Sequence, residues 1–130
     1  MELYDLIVLG GGPAGYMAAE RAGHAGFKVA LVEERELGGV CLNEGCIPTK
    51  TMLYSAKLHD GVKNGEKYGV TAENLQMDHM KVLARKAKVV KSLVGGVKTA
   101  MKANGVAVFA GHGEIIGKIA EGFQVRAGAK

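Results

Sequence analysis

Leu6-Ile7-Val8-Leu9-Gly10-Gly11-Gly12-Pro13-Ala14-Gly15 is the stretch that decides the fold. Four apolar residues in a row, closed by glycines, read as a short strand buried on both faces. From Pro13 to about Ala25 the residues Ala14, Met17, Ala18, Ala22 and Ala25 read as a helix with one small-residue face. Proline suits its first turn, where the missing N–H is no loss, and Gly26 suits its C-terminal end. Val29-Ala30-Leu31-Val32 reads as a second buried strand. Strand, helix and strand within about 30 residues make a βαβ unit, with parallel strands and a right-handed crossover. The chain is therefore expected to be α/β.

The turn inside this unit carries G-x-G-x-x-G at Gly10, Gly12 and Gly15. The spacing is weak evidence alone, but here it follows a strand and opens a helix. Gly10 permits the tight turn, Gly12 lets backbone approach a pyrophosphate, and Gly15 lets helix and strand pack closely. Free N–H groups at the helix start then face the phosphates. Glu33 closes the second strand, about 20 residues on, where a carboxylate can accept bonds from ribose hydroxyls. The pattern points to dinucleotide binding. Spacing does not separate NAD from FAD.

Gly38-Gly39-Val40-Cys41-Leu42-Asn43-Glu44-Gly45-Cys46-Ile47-Pro48-Thr49-Lys50 is the second constellation. It lies in a segment, Glu34 to Cys46, that reads as a Gly-rich loop. Two thiols five positions apart can meet if the loop curls, and Gly45 supplies freedom for that. Cys46 falls at a predicted helix start, where the dipole, free N–H groups and Lys50 one turn later favour a thiolate. Cys41 is expected in the loop, as the more exposed partner. Such asymmetry suits thiol–disulfide exchange. The rival readings are two inert buried cysteines or a zinc site. Zinc wants about four ligands, and His24, His59, His79 and His112 show no ligand spacing, so no metal site is expected.

The remaining chain reads more coarsely. Ile47 to about His59 is a predicted helix with Leu53, Ala56 and Leu58 among its apolar positions. Gly61 to Asn74 reads as a loop with Tyr68 and Val70 as apolar anchors. Asp78 to about Ala103 is a predicted long amphipathic helix, its stripe running through Met80, Leu83, Ala84, Ala87, Val90, Leu93, Val94 and Val97, with Gly95-Gly96 able to bend or break it. Val106 to Ala110 reads as a third buried-type strand. Glu114–Ile119 and Phe123–Arg126 read as a hairpin turning near Ala120-Glu121-Gly122.

Composition sets the outer bounds. The chain has 130 residues, 48% of them apolar and 23% charged, with 20 glycines and a net charge of +4. That suits one globular domain with a real core. Only 2 prolines and no triplet period exclude collagen. No apolar run reaches the roughly 18–20 residues of a membrane span. The start lacks a basic n-region, so a cytoplasmic location is expected, with the cysteine pair redox-active rather than a structural staple. The positive excess from Lys81 to Lys102 reads as a solvated helix face; no nucleic-acid or membrane partner is expected, and docking to an acidic carrier domain is the rival reading.

Together, the glycine turn and the Cys41–Cys46 segment resemble the flavoprotein disulfide reductases, the pyridine nucleotide-disulfide oxidoreductases with a Cys-x4-Cys pair. Leu42-Asn43 and Ile47-Pro48 look most like the lipoamide branch; the glutathione- and mercuric-reductase branches share the frame. The resemblance implies a Rossmann-like FAD-binding βαβ domain with a parallel sheet, helices and a C-terminal β-hairpin. It implies FAD at the cradle, with Gly10, Gly12, Pro13, Ala14 and Gly15 at the pyrophosphate, Glu33 at the adenosine ribose, and Gly39 and Val40 lining the cofactor. Cys46 would be the thiol against the flavin, Cys41 the interchange thiol, and Lys50 a neighbour of the flavin ring. His112 and Gly113 are candidates for the turn that touches adenine.

The same resemblance implies an oxidoreductase that reoxidises protein-bound dihydrolipoamide and passes electrons through disulfide and FAD to NAD. The implied partners are a lipoyl-carrying domain or protein of a 2-oxoacid dehydrogenase or glycine cleavage complex, and a second subunit in a homodimer. Val40 stands where the family often has Thr, so one hydroxyl contact to FAD is expected to be missing. Residues 1–130 are expected to be a truncated, N-terminal part of the FAD-binding domain. The NAD-binding and C-terminal dimerisation domains are then absent and this chain alone is inactive. Two further expectations compete with the enzyme-fragment reading: a non-catalytic FAD-binding module, and a dithiol protein acting without flavin.

Overall fold

A computed structural model describes residues 2–128. Strand β1, Leu6–Leu9, leads through helix α1, Pro13–His24, to strand β2, Val29–Glu33. A short helix α2, Gly39–Asn43, precedes helix α3, Cys46–Lys63. After a 3-10 turn at Glu66–Tyr68, helix α4, His79–Ala103, leads to strand β3, Ala107–Ala110. Strands β4, Gly113–Ile119, and β5, Gly122–Ala127, complete the described elements. β2 lies between β1 and β3, parallel to both, with Leu9 opposite Val32 and Val32 opposite Phe109. β4 and β5 form a separate antiparallel hairpin, closed by Ala120 and Glu121, with an irregularity between Ile115 and Gly117.

The core sits on the helix face of the sheet. Ala19 of α1, Val29 and Leu31 of β2, Leu37, Met101 of α4 and Val106 form one buried cluster. The helix–strand approach at α1 depends on Gly15: a Cβ there would lie 1.8 Å from the Gly10 carbonyl oxygen. Asp78 caps α4 by accepting the Lys81 N–H at 3.1 Å, satisfying one of the orphan donors of the first turn. At its other end Gly105 turns the chain with φ 67°, and the Val106 N–H reaches the Met101 carbonyl at 3.0 Å.

Several expectations fail here, each for a physical reason. Only β2 is buried along its length; β1 and β3 are edge strands, so Leu9 and Phe109 are 40% and 38% exposed. The small-residue face of α1 is rotated from the expected one. Ala19 and Ala22 turn inward with Tyr16, while Met17 and Ala18 are exposed. Helix α3 runs through Gly61 to Lys63, beyond the expected stop near His59. It buries Pro48 and Thr51 and leaves Leu53 and Leu58 exposed. Tyr68 and Val70 are exposed rather than anchoring. Gly95-Gly96 neither ends nor breaks α4, which buries Val94 and Met101 but leaves Met80 and Leu93 exposed. No helix among the described residues is long and apolar enough to cross a membrane.

Candidate active site

The glycine turn leaves β1 and enters α1 over an open cleft of about 520 Å³, bounded by Leu9, Gly10, Gly12, Pro13, Ala14 and Gly15. Gly10 has φ 100°, which a side chain would disfavour. Gly12, the N-cap, offers no side-chain cap, and the first turn of α1 holds no acidic residue. The N–H groups there are left to face an anion, and the helix dipole favours one. A Cβ built on Gly12 meets nothing within 4 Å. No protein neighbour requires glycine at this position, and a side chain would project into unfilled space beside the turn. The cleft, the uncapped turn and the open space at Gly12 fit a dinucleotide pyrophosphate.

Glu33 stands at the end of β2, facing that turn. One carboxylate oxygen accepts the Gly11 N–H at 2.6 Å and the other accepts the Arg35 N–H at 2.7 Å. An ionised carboxylate has about four acceptor sites, so capacity for hydroxyl donors remains. The next three residues reach outward to different elements. Glu34 meets Nδ1 of His112 at 3.3 Å. Arg35 forks onto the carboxylate of Glu44. Glu36 pairs with Lys98 of α4 at 3.0 Å. The guanidinium of Arg35 is held more firmly protonated by hydrogen bonding to Glu44 and by its charge.

The dithiol segment differs from its expected form. Cys41 does not lie in a loop: it sits on α2, which starts from left-handed Gly38 and is anchored by buried Leu42. Asn43 steadies this turn by donating to the carbonyls of Gly39 and Leu37, at 2.9 and 3.1 Å. Glu44 and Gly45 then fold back, both N–H groups donating to the Val40 carbonyl. This reversal starts α3 beside α2, with Cys46 as its first residue. The exposure order is the reverse of that expected: Cys41 is half-buried and Cys46 exposed. Cys41 lies within the packed α2–α3 turn, whereas the first residue of α3 stands at its open end. Both thiols are free. A hydrogen bond with Cys46, then desolvation and the charge on Cys46, push the Cys41 thiol above its ordinary value, while Lys50 opposes this.

The two constellations touch at one point. Gly39, with φ 58°, lies so close to the glycine turn that a Cβ on it would stand 2.7 Å from the Cα of Gly12. The Gly38 N–H also donates to the Gly11 carbonyl at 2.8 Å. Val40 and Lys50 are exposed nearby in sequence. His112 and Gly113 follow β3 at the same C-terminal edge of the parallel sheet as the glycine turn and Glu33, where the Gly111 N–H meets the Glu33 carbonyl at 2.9 Å. Gly113 packs on the side chains of Leu9 and Val32, and a Cβ there would need the Leu9 side chain to shift. Sequence reasoning missed Arg35, Glu44 and Gly11 as members of the site. The available signal was an opposite-charge pair nine positions apart across the two glycines that begin α2.

Comparisons with known proteins agree with this geometry. A family model described as pyridine nucleotide-disulphide oxidoreductase matches residues 4–129. A dihydrolipoyl dehydrogenase of Zymomonas mobilis is 50% identical over 114 residues, 88% of this chain and 24% of that protein. One from Acholeplasma laidlawii is 50% identical over 113 residues, covering 86% of this chain and 34% of that protein. Among solved structures, a Cu(II) complex of the HOCl-induced flavoprotein disulfide reductase RclA from Escherichia coli superposes with a TM-score of 0.73 at 28% identity, covering 98% of this chain and 27% of that one. The chain thus spans about a quarter to a third of the length of these relatives.

Proposed function

The chain belongs to the pyridine nucleotide-disulphide oxidoreductase family, and from that premise we propose that it supplies the FAD-binding cradle and redox dithiol of a dihydrolipoyl dehydrogenase. The observation that carries this reading is the contact of Gly39 with Gly12, which seats the helix bearing Cys41 directly on the phosphate turn. A cofactor held by that turn would extend past the dithiol.

Each residue then has a role set by its position. The N–H groups of Ala14 and Gly15, after Pro13, hold the pyrophosphate, with Gly10 and Gly12 giving it room. Glu33 receives the adenosine ribose hydroxyls, and the His112-Gly113 turn borders the adenine. Gly39 and Val40 line the middle of the cofactor, and Lys50 lies toward its reactive ring. FAD held by this cradle would supply a two-electron acceptor for the dithiol. In the oxidised pair, a dihydrolipoyl thiolate attacks Sγ of Cys41. The S–S bond breaks and its electron pair leaves on Cys46. The second substrate thiol displaces Cys41, forming the lipoyl disulfide, and Cys41 takes up a proton. Two electrons and one proton pass to the cysteine pair; the proton lost in forming the first substrate thiolate goes to solvent, and Cys46 is left as the thiolate. The tendency of Cys41 to keep its proton beside Cys46 supports this assignment.

In the same reading, NAD is the final acceptor, bound by parts of the relatives' length outside this chain. The partners are a lipoyl-carrying protein of a 2-oxoacid dehydrogenase or glycine cleavage complex and a second subunit. The location in this reading is cytoplasmic. The test is a visible spectrum after FAD addition and desalting, with circular dichroism confirming the fold. A folded protein that retains flavin absorbance carries the proposal; a folded protein that stays colourless overturns it.

A further inference from the structure

We infer that Arg35 acts as a positioning residue for the dithiol through Glu44, fixing the turn between the two cysteines to the ribose end of the cofactor cleft and neutralising the one carboxylate in that turn. This rests on Cys41 and Cys46 being the working dithiol. Glu44 is the C-cap of α2, three residues after Cys41 and two before Cys46. It is the only acidic residue between Gly38 and Lys50. Left unpaired, a negative charge in this turn would disfavour a thiolate close to it. The Arg35 fork covers it, with Nη1 at 3.4 Å and Nη2 on the other oxygen.

The far end of the bridge is equally fixed. The Arg35 N–H donates to Glu33, whose second oxygen holds Gly11. A continuous chain of hydrogen bonds therefore runs from the phosphate turn, through Glu33 and Arg35, to the dithiol turn. Arg35 and Glu44 are both well exposed, so solvent screens the pair and its worth lies in placement and local charge rather than stability.

Opposite signs test this. The rate of Cys46 alkylation by iodoacetamide at pH 7 and low salt reports thiolate availability. The Cys41–Cys46 equilibrium in a glutathione redox buffer reports the stability of the reduced pair. With Arg35→Gln the bare carboxylate should slow alkylation by about two- to threefold and favour the disulfide by a similar factor. Glu44→Gln should shift both readouts the other way, Arg35→Lys should restore most of the parent value, and salt on the order of 1 M should shrink the differences. If Arg35→Gln and Glu44→Gln shift both readouts in the same direction, or neither shifts them, the inference is wrong: the bridge then merely pins the loop or does nothing. If the parent forms no reversible Cys41–Cys46 disulfide at all, it is the dithiol reading that fails, before any variant is compared.

Discussion

A Cβ on Gly39 would stand 2.7 Å from the Cα of Gly12, so the helix that bears Cys41 and the turn that faces the cleft are built in direct backbone contact. Gly39→Ala meets both this clash and a left-handed φ of 58°. Its cost should be about 1–3 kcal/mol in unfolding free energy. Chemical denaturation of the reduced protein checks this, and an unchanged midpoint would refute the contact.

The glycines of the cradle should separate fold from binding. Gly15→Ala places a Cβ 1.8 Å from the Gly10 carbonyl oxygen and should unfold the protein or lower its melting temperature sharply. Gly12→Val meets no protein atom within 4 Å of its Cβ position, so the fold should survive. Flavin retention should nevertheless fall at least tenfold, as the side chain enters the space proposed for the pyrophosphate. Circular dichroism and flavin absorbance after desalting read the two effects apart.

Glu33→Ala should weaken both stability and cofactor retention. It leaves the part-buried Gly11 N–H without its 2.6 Å acceptor, at a cost of about 1–3 kcal/mol. Glu33→Gln keeps an acceptor oxygen and should recover part of that loss. Parallel denaturation of the two variants checks the ranking.

The Cys41 thiol gives the reduced protein a pH dependence. Its value is raised in the fold, chiefly by its hydrogen bond with Cys46. A group held protonated by the fold contributes stability that is complete below the unfolded thiol value, about 8.5, and is lost as pH rises through the higher folded value. Reduced protein should therefore lose stability above about pH 9, and Cys41→Ser should remove that component. Cys46→Ala removes the leading cause and should lower the value for Cys41. Thiolate absorbance followed across pH measures both.

The βαβ unit, the glycine turn and the closeness of the two thiols were legible because each is written locally. Four apolar residues, a glycine spacing and a proline at a helix start need no distant partner. What was not legible depends on the sheet's edges and on contacts between segments. Leu6 and Leu9 read as buried, yet nothing within the described residues covers the outer edge of β1. The exposure of Cys41 and Cys46 was inverted because the short helix Gly39–Asn43 is held by tertiary contacts of Leu37 and Leu42, not by its own length. Arg35 and Glu44 read as ordinary surface charges until the chain reversal at Gly45 brought them together.

That uncovered surface has a measurable consequence. Ile115 and Phe123 on the hairpin are 59% and 63% exposed, and Leu53 and Leu58 on α3 are 61% and 55% exposed. Exposed apolar side chains of this kind favour association. A polypeptide of residues 1–130 should bind an apolar-surface dye and self-associate as its concentration rises, as seen by sedimentation. Ile115→Lys with Phe123→Lys should reduce association through the hairpin, and Leu53→Lys with Leu58→Lys association through α3. Neither pair removes a residue of the buried cluster, so the melting transition should persist in both. The pair that returns the sedimentation coefficient toward that of a monomer identifies the face responsible. A monodisperse monomer in the parent polypeptide at high concentration would show that these side chains are covered in solution.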